Sequence, residues 1–348
     1  GNGLTSLALA KALINQGIKI DIFSNKKIRK YDKIQTLGIS KDNINFFNRN
    51  IINIEKLLWN VNKIEIYSDN LKNEKILNFE NNNKNLFSIV RNVDLYNCLF
   101  LDLKKNKLVN FKKEIDHNIL MKKNYKLIFN CENYNYITNK FFNKKIEKKY
   151  DSFAHITSFK HKKLPNNTAT QIFTKKGPIA FLPISSTETS VVFSIRGKKI
   201  VDLEKLIRIY NYKYKILKIN NVHHFELKSS NLRSYYHKNV IAFGDILHRL
   251  HPHAGQGFNM SIRDIKEILR LINFKQMHGL DLDTSICSDF EKNTRNKNYL
   301  FSRGIDFIYE FFSVESKTEM KVFSKSIKLL GKNKIINNSF SKFADNGI

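Results

Sequence analysis

The chain has 348 residues, enough for a sizeable core and more naturally two lobes than one. Hydrophobic residues make up 42% and aromatics 12%, which excludes a globally disordered chain. The 60 basic and 31 acidic residues give a net charge of +29. No nucleic-acid motif accompanies that charge, and the lysines are spread among Asn and Ile, so AT-rich codon usage or attraction toward anionic lipid is the expected origin, with no nucleic-acid partner. No apolar run approaches the roughly 20 residues that span a bilayer, and no signal peptide is visible. Cys98, Cys131 and Cys287 are far apart without metal-ligand spacing, which reads as reduced thiols in a cytoplasmic protein.

Residues 1–24 read as turn, helix and strand: GNGLTS turns, a helix runs from about Leu4 to Gln16, Gly17 ends it, and IKIDIF (18–23) is the next strand. Opening directly on a glycine turn reads as a chain that lacks the strand before it. IEIYSDN (64–70) predicts a strand entering a turn, KILNF (75–79) a return strand and NNNKN (81–85) a polar loop. FSIVRNVDLYNCLFLDLKK (87–105) is strand-like, then helical, with Leu95, Leu99 and Leu103 in register; YKLIFNCE (125–132) is a strand. Alternation in AHITSF (154–159) and TETSVVFSI (187–195), with Pro165, Pro178 and Pro183 nearby, predicts a separate antiparallel sheet. NVIAF (239–243) is a buried strand and MSIRDIKEILRLIN (260–273) a helix. The tail from about 290 is helical and amphipathic, with Ile305, Phe307, Ile308, Phe311 and Phe312 near Lys317 and Lys321 as a candidate face for a peripheral membrane surface.

GNGLTS resembles the dinucleotide fingerprint G-x-G-x-x-G. Gly1 permits the tight turn, Gly3 lets a pyrophosphate approach the backbone, and Ser6 stands at the third position. The acid that usually ends the second strand is replaced by Ser24, a weaker hydrogen-bonding partner for a ribose. A more specific pattern is NVIAFGDILHRLHPHAGQGFNMSIRD (239–264), which suits a flavin. Asp245 can accept hydrogen bonds from ribityl hydroxyls, and Gly255 and Gly257 clear space for a flat ring. The amides at a helix N-terminus can stabilise charge on the ring's N1–C2=O edge. His248, His251 and His253 cluster here and His223 adjoins His224, but neither group reads as a metal site.

The segment resembles the GD…HP…GQG-N signature of class A flavin monooxygenases, the para-hydroxybenzoate hydroxylase-like group, and within it the ubiquinone-biosynthesis hydroxylases. TATQIFTKKGPIAFLPISSTETSVVFSI (168–195) is similar to that family's A-x-Q-x-F-T-x-x-G-P-x-A-x-L-P stretch at Ala169, Gln171, Phe173, Thr174, Gly177, Pro178, Ala180, Leu182 and Pro183. The resemblance implies an α/β fold: a Rossmann-like FAD-binding lobe from 1–80, 86–150 and 232–290, an antiparallel β-sheet substrate domain at 151–231 and a helical C-terminal segment at 291–348. It implies FAD as cofactor, NAD(P)H as electron donor and hydroxylation by O2 of an isoprenoid-phenol substrate. A peripheral inner-membrane surface or a quinone-biosynthesis complex is the expected partner. Gly1, Gly3, Ser6, Ser24, Arg91, Asp245, Gly255, Gln256, Gly257 and Asn259 are expected at the cofactor, with Pro252 and Gly255 to Gly257 flanking the reacting ring. The chain departs from the family at Glu132-Asn133, where an Asp-Gly is usual, and at Gln35, where no arginine precedes TLGIS (36–40). Those departures also suit a degenerate homologue serving as a structural member of a biosynthetic complex.

Overall fold

The computed structural model describes residues 1–24, 34–69, 74–80, 85–113, 119–120, 123–197, 202–250 and 256–318. In chain order, helix α1 (Leu4–Ile14) leads to β1 (Ile20–Phe23), β2 (Thr36–Ser40), α2 (Lys41–Asn50), β3 (Trp59–Val61), β4 (Lys63–Ser68), β5 (Glu74–Glu80), β6 (Phe87–Arg91), α3 (Asn92–Lys105), β7 (Val109–Lys112) and β8 (Ile128–Asn130). Then come α4 (Tyr136–Phe141), β9 (Lys145–His161), β10 (Thr168–Thr174), β11 (Gly177–Ser185), β12 (Glu188–Arg196), α5 (Leu203–Tyr210), β13 (Ile216–Ile219) and β14 (His223–Leu232). The chain continues through β15 (Tyr236–His237), β16 (Val240–Ala242), β17 (His248–Arg249), α6 (Gln256–Met277) and α7 (Ser285–Thr318).

One lobe is α/β. Its β1 runs parallel to β7, its β8 parallel to β16, and β2 and β3 flank β6 antiparallel. Leu4, Leu7, Ala8, Leu9, Ala10, Ala12, Leu13 and Ile14 of α1 are all buried, so this short helix is enclosed rather than laid on a surface. It packs in one core with Leu95 and Leu99 of α3, Ile241 and Phe243 beside β16, and Ile262 and Ile265 of α6.

The other lobe is one large sheet, in the order β17-β14-β9-β12-β11-β10-β4-β5, with β13 extending β14 along the same edge of β9. Leu203, Leu206 and Ile207 of α5 cover its outer face against Phe159, Phe181, Val191 and Phe193. The turn between β10 and β11 needs a glycine: Gly177 has φ +132, and a Cβ there would collide with the Ser194 carbonyl oxygen.

The sheet corrects the expected boundaries. Segment 63–80, expected in the FAD-binding lobe, forms β4 and β5, and β4 lies parallel to β10 from Thr168↔Lys63 to Phe173↔Ser68. Ile64 gains Ala169 there as an apolar cross-strand neighbour that an isolated hairpin would lack. The expected divisions at 150/151 and 231/232 fall inside β9 and β14, because strand pairing continues across them.

Helix α7 is docked by a polar stripe. Thr294, Asn298, Ser302 and Asp306, four residues apart, are all buried and share one helix face. Asn298 Nδ2 donates to Asp264 Oδ1 at 3.0 Å, and Asn231 Nδ2 to Ser302 Oγ at 2.9 Å. The Tyr150 hydroxyl and Ser229 Oγ both donate to the Asp306 carboxylate. Ile305, offered above as part of a membrane-docking face, instead packs with Leu250, Met260 and Phe301, while Phe307 is exposed. The side chains of Ile308, Phe311, Phe312 and Lys317, and residue Lys321, lie outside the described residues.

Candidate active site

The glycine turn and the Gly244-Asp245 turn meet, although some 240 residues separate them. Gly244 has φ +70, and a Cβ on it would stand 3.1 Å from Thr5 Cγ2 in the first turn of α1. Glycine is therefore required twice over, by backbone conformation and by close packing. Asp245 follows at the end of β16 with its side chain exposed. Ser6 Oγ donates to the Gly1 carbonyl at 2.5 Å and braces the turn from inside, and α1 begins at Gly3 with no acid in its first turn. A helix N-terminus of that kind favours a bound anion.

Cys131 and Glu132 follow β8 and adjoin this turn. Ser6 hydrogen-bonds the Cys131 thiol, and the charges of Glu132 and Asp245 are felt there. Burial, the largest influence, pushes the thiol up to about 11, so it stays protonated and is no nucleophile. The Glu132 carboxylate sits against Gly1, where any added side chain would run into it. Asn130, Asn135 and Thr138 fix this turn: Asn135 Oδ1 caps α4 through the Thr138 amide at 2.8 Å, and Thr138 Oγ1 donates to the Glu132 carbonyl at 2.6 Å. Ser24 follows β1, its amide bonded to the Lys112 carbonyl at 3.1 Å. Ser24, Glu132 and Asp245 thus each follow the C-terminal end of a parallel strand, where open α/β sheets bind ligands.

The start of α6 is arranged differently from expectation. Asn259 is 2% exposed and its amide is already engaged. Its Oδ1 accepts from the Ser40 amide at 3.0 Å and from Asn43 Nδ2 at 2.9 Å, while its Nδ2 donates to the Gly38 carbonyl at 2.8 Å. Its side chain clamps TLGIS and α2 to α6, a brace where a ring contact was expected. Among the described residues, buried Gln256 Oε1 has no hydrogen-bond partner and a Cβ on Gly257 would meet nothing within 4 Å. An orphaned acceptor and an open cradle at a helix start are features that a bound polar group would use. Pro252 and Gly255, with His251 and His253, lie outside the described residues.

His248 is held next to that segment. Its Nε2 hydrogen-bonds Asp264 Oδ2 at 2.5 Å, both side chains being almost fully buried, and Asn298 holds the other Asp264 oxygen. His248 Nδ1 is buried with no partner among the described residues. Arg91, expected at the cofactor, is committed elsewhere: Nη2 meets Glu188 Oε2 at 2.5 Å, and Glu188 Oε1 accepts from Ser158 Oγ at 2.9 Å. This pair ties the α/β lobe to the sheet, as does Thr36 Oγ1 to Ser190 Oγ at 3.3 Å.

The donor set fits FAD at the nucleotide and ribityl end: a helix with no acid in its own first turn for phosphate, a hydroxyl at Ser24 and a carboxylate at Asp245 for sugar hydroxyls, and space above Gly257, with the Glu132 carboxylate against Gly1 as the one opposing group. Among the described residues no group of His, Cys, Asp and Glu has metal-binding geometry, and no helix is long and apolar enough to cross a membrane. Sequence reasoning missed Ser40, Asn43 and Asn298. Each is a small polar residue whose partner lies in another part of the chain, so no local spacing marks it.

A family model described as an FAD binding domain matches residues 203–273. The human mitochondrial ubiquinone biosynthesis monooxygenase COQ6 is 26% identical over 195 residues, covering 43% of this chain and 42% of the relative. The 3-demethoxyubiquinol 3-hydroxylase of Escherichia coli strain K12 is 24% identical over 159 residues, covering 43% and 41%. These matches span less than half the length of either relative. Among solved structures, the Pseudomonas putida p-nitrophenol 4-monooxygenase PnpA superposes with a TM-score of 0.77 at 11% identity, over 100% of this chain and 96% of its own. Klebsiella pneumoniae HpxO, complexed with FAD and uric acid, gives 0.74 at 12% identity, over 97% and 94%. The fold is that of FAD-dependent monooxygenases.

Proposed function

This chain is related to the FAD-dependent hydroxylases of ubiquinone biosynthesis, and we propose that it hydroxylates the ring of a polyprenyl phenol, using NAD(P)H and O2. The observation that carries the reading is the contact between Gly244 and Thr5, which brings a phosphate-binding helix start beside a sugar-binding carboxylate. The names of the relatives support the substrate class.

Bound FAD would supply the redox chemistry, passing electrons from NAD(P)H to O2 and one oxygen atom to the ring. The chain's own part is to bind, orient and exclude water. The α1 N-terminus would face the pyrophosphate, with Gly1 and Gly3 keeping side chains out of its approach. Ser24 serves the ribose and Asp245 the ribityl hydroxyls. Gln256 and Gly257, with Pro252 and Gly255 just before them, serve the ring. The His248–Asp264 pair anchors the strand that leads into that segment.

The test is flavin content. Wild-type protein purifies yellow with non-covalent FAD. Asp245→Ala loses the charge-assisted acceptor, worth about 1.5–3 kcal/mol, and so binds FAD on the order of tenfold or more weakly. Full flavin occupancy in that variant would remove Asp245 from the site. A second reading, a degenerate homologue acting as a structural member of a quinone-biosynthesis complex, is favoured by one observation: the Glu132 carboxylate stands against Gly1, where it opposes a pyrophosphate. Colourless wild-type protein that takes up no added FAD would select that reading.

A further inference from the structure

The register of the large sheet singles out one side chain on its inner face. Directly paired residues of neighbouring strands point to the same face. From Gln171 on β10, the partners are Ile66 on β4, Ala180 on β11, Val192 on β12 and Ile156 on β9. The adjacent row shows which way this face looks. There Ala169 and Leu182 pack against Val61 and Ile89 of the α/β lobe, and Ser190 is bonded to Thr36. The Gln171 row therefore faces the same lobe, one step beyond the contact. Ile66, Gln171, Ala180 and Val192 are all half-buried, so the covered face opens at this row.

Apart from His223 at the far edge, Gln171 carries the one hydrogen-bonding side chain of the row, and its amide makes no hydrogen bond among the described residues. A lone amide on an apolar floor does nothing for packing. It suits a flat apolar ligand that presents one polar substituent. The nearest basic side chain in the row is His223, which pairs with Ile156 at the far edge. That is four strands from Gln171, about 19 Å at the usual strand spacing. The row thus offers a ring a hydrogen bond and no counter-charge.

We propose that this row is the floor of the ring subsite and that Gln171 is the substrate-contacting residue that orients it, selecting uncharged phenols over phenolic carboxylates. The assignment rests on the proposed function above. An aromatic ring lies over Ala180 and Val192, and its hydroxyl donates to Gln171 Oε1 or accepts from Nε2.

Calorimetric titration of the full chain with 3-pentylphenol and with 4-hydroxybenzoate tests this without turnover. Wild type binds the alkylphenol and not the carboxylate. Gln171→Leu weakens alkylphenol binding about five- to tenfold, the loss of one neutral hydrogen bond, with flavin content unchanged. Gln171→Arg acquires 4-hydroxybenzoate binding, because a guanidinium then stands in the row. Equal alkylphenol binding by wild type and Gln171→Leu, or no gain of the carboxylate by Gln171→Arg, overturns the role of Gln171 while leaving the proposed function in place. Flavin-loaded wild type that binds no phenol overturns both.

Discussion

Asn259 shows how a single side chain can be misplaced by its neighbourhood in sequence. It stands directly after the glycine-rich stretch, so proximity suggests a ring contact, yet its partners Gly38, Ser40 and Asn43 lie more than 200 residues away. No local pattern encodes those bonds. Truncating it takes one hydrogen bond each from the Ser40 amide, the Gly38 carbonyl and the Asn43 side-chain amide. Asn259→Ala should therefore destabilise the protein by about 2–3 kcal/mol, read as a lower denaturant midpoint with an unchanged slope. A midpoint equal to wild type would mean that water replaces the clamp at no cost. Gly177 and Gly244 were marked in the sequence only by the motifs that contain them, because the groups that exclude a side chain there, the Ser194 carbonyl and Thr5, lie far along the chain.

Among the elements, those with a strong internal period were the readable ones: α1, α3 and α6, and the alternating strands β9 and β12. Segment 25–85 was not readable in the same way. Its strands β2 and β3 are short and find their partner in β6, so their identity is conferred by tertiary pairing, whereas β4 and β5 were legible as a strand and its return and only the pairing of β4 with β10 was not. The junction between α6 and α7 carries a testable electrostatic lock. The Lys275 ammonium, hydrogen-bonded at 2.8 Å, and the Ser285 hydroxyl and amide hold the Asp283 carboxyl down to about 2, from an ordinary 3.8. A carboxyl depressed in the folded state stabilises above its ordinary value and loses that contribution as pH falls through its folded value. Between pH 4 and pH 2, amides of 278–287 should exchange faster, while those of 262–272 inside α6 keep their protection. Uniform protection across that window would show that the lock contributes nothing.

At the scale of the whole molecule, the net charge of +29 sits on a chain proposed to act on a membrane-dwelling phenol, with no described helix able to span a bilayer. Protein should sediment with anionic-lipid vesicles at low ionic strength and be released by about 0.5 M salt, where the Debye length has shrunk to a few ångströms. Equal binding to neutral vesicles, or none to either, would return the charge to codon usage. The two-lobed α/β plan was legible because the flavin signature and the alternating sheet are separate patterns; the way the lobes are laced was not, since β4 crosses from one to the other. That crossing has a consequence for the birth of the protein. On the ribosome, β4 emerges roughly a hundred residues before β10, its parallel partner. At about 5–20 residues per second the nascent chain waits roughly 5–20 s with that edge unmatched. Lys63 and Glu65 place charge on the waiting segment and discourage it from pairing with a neighbouring nascent chain.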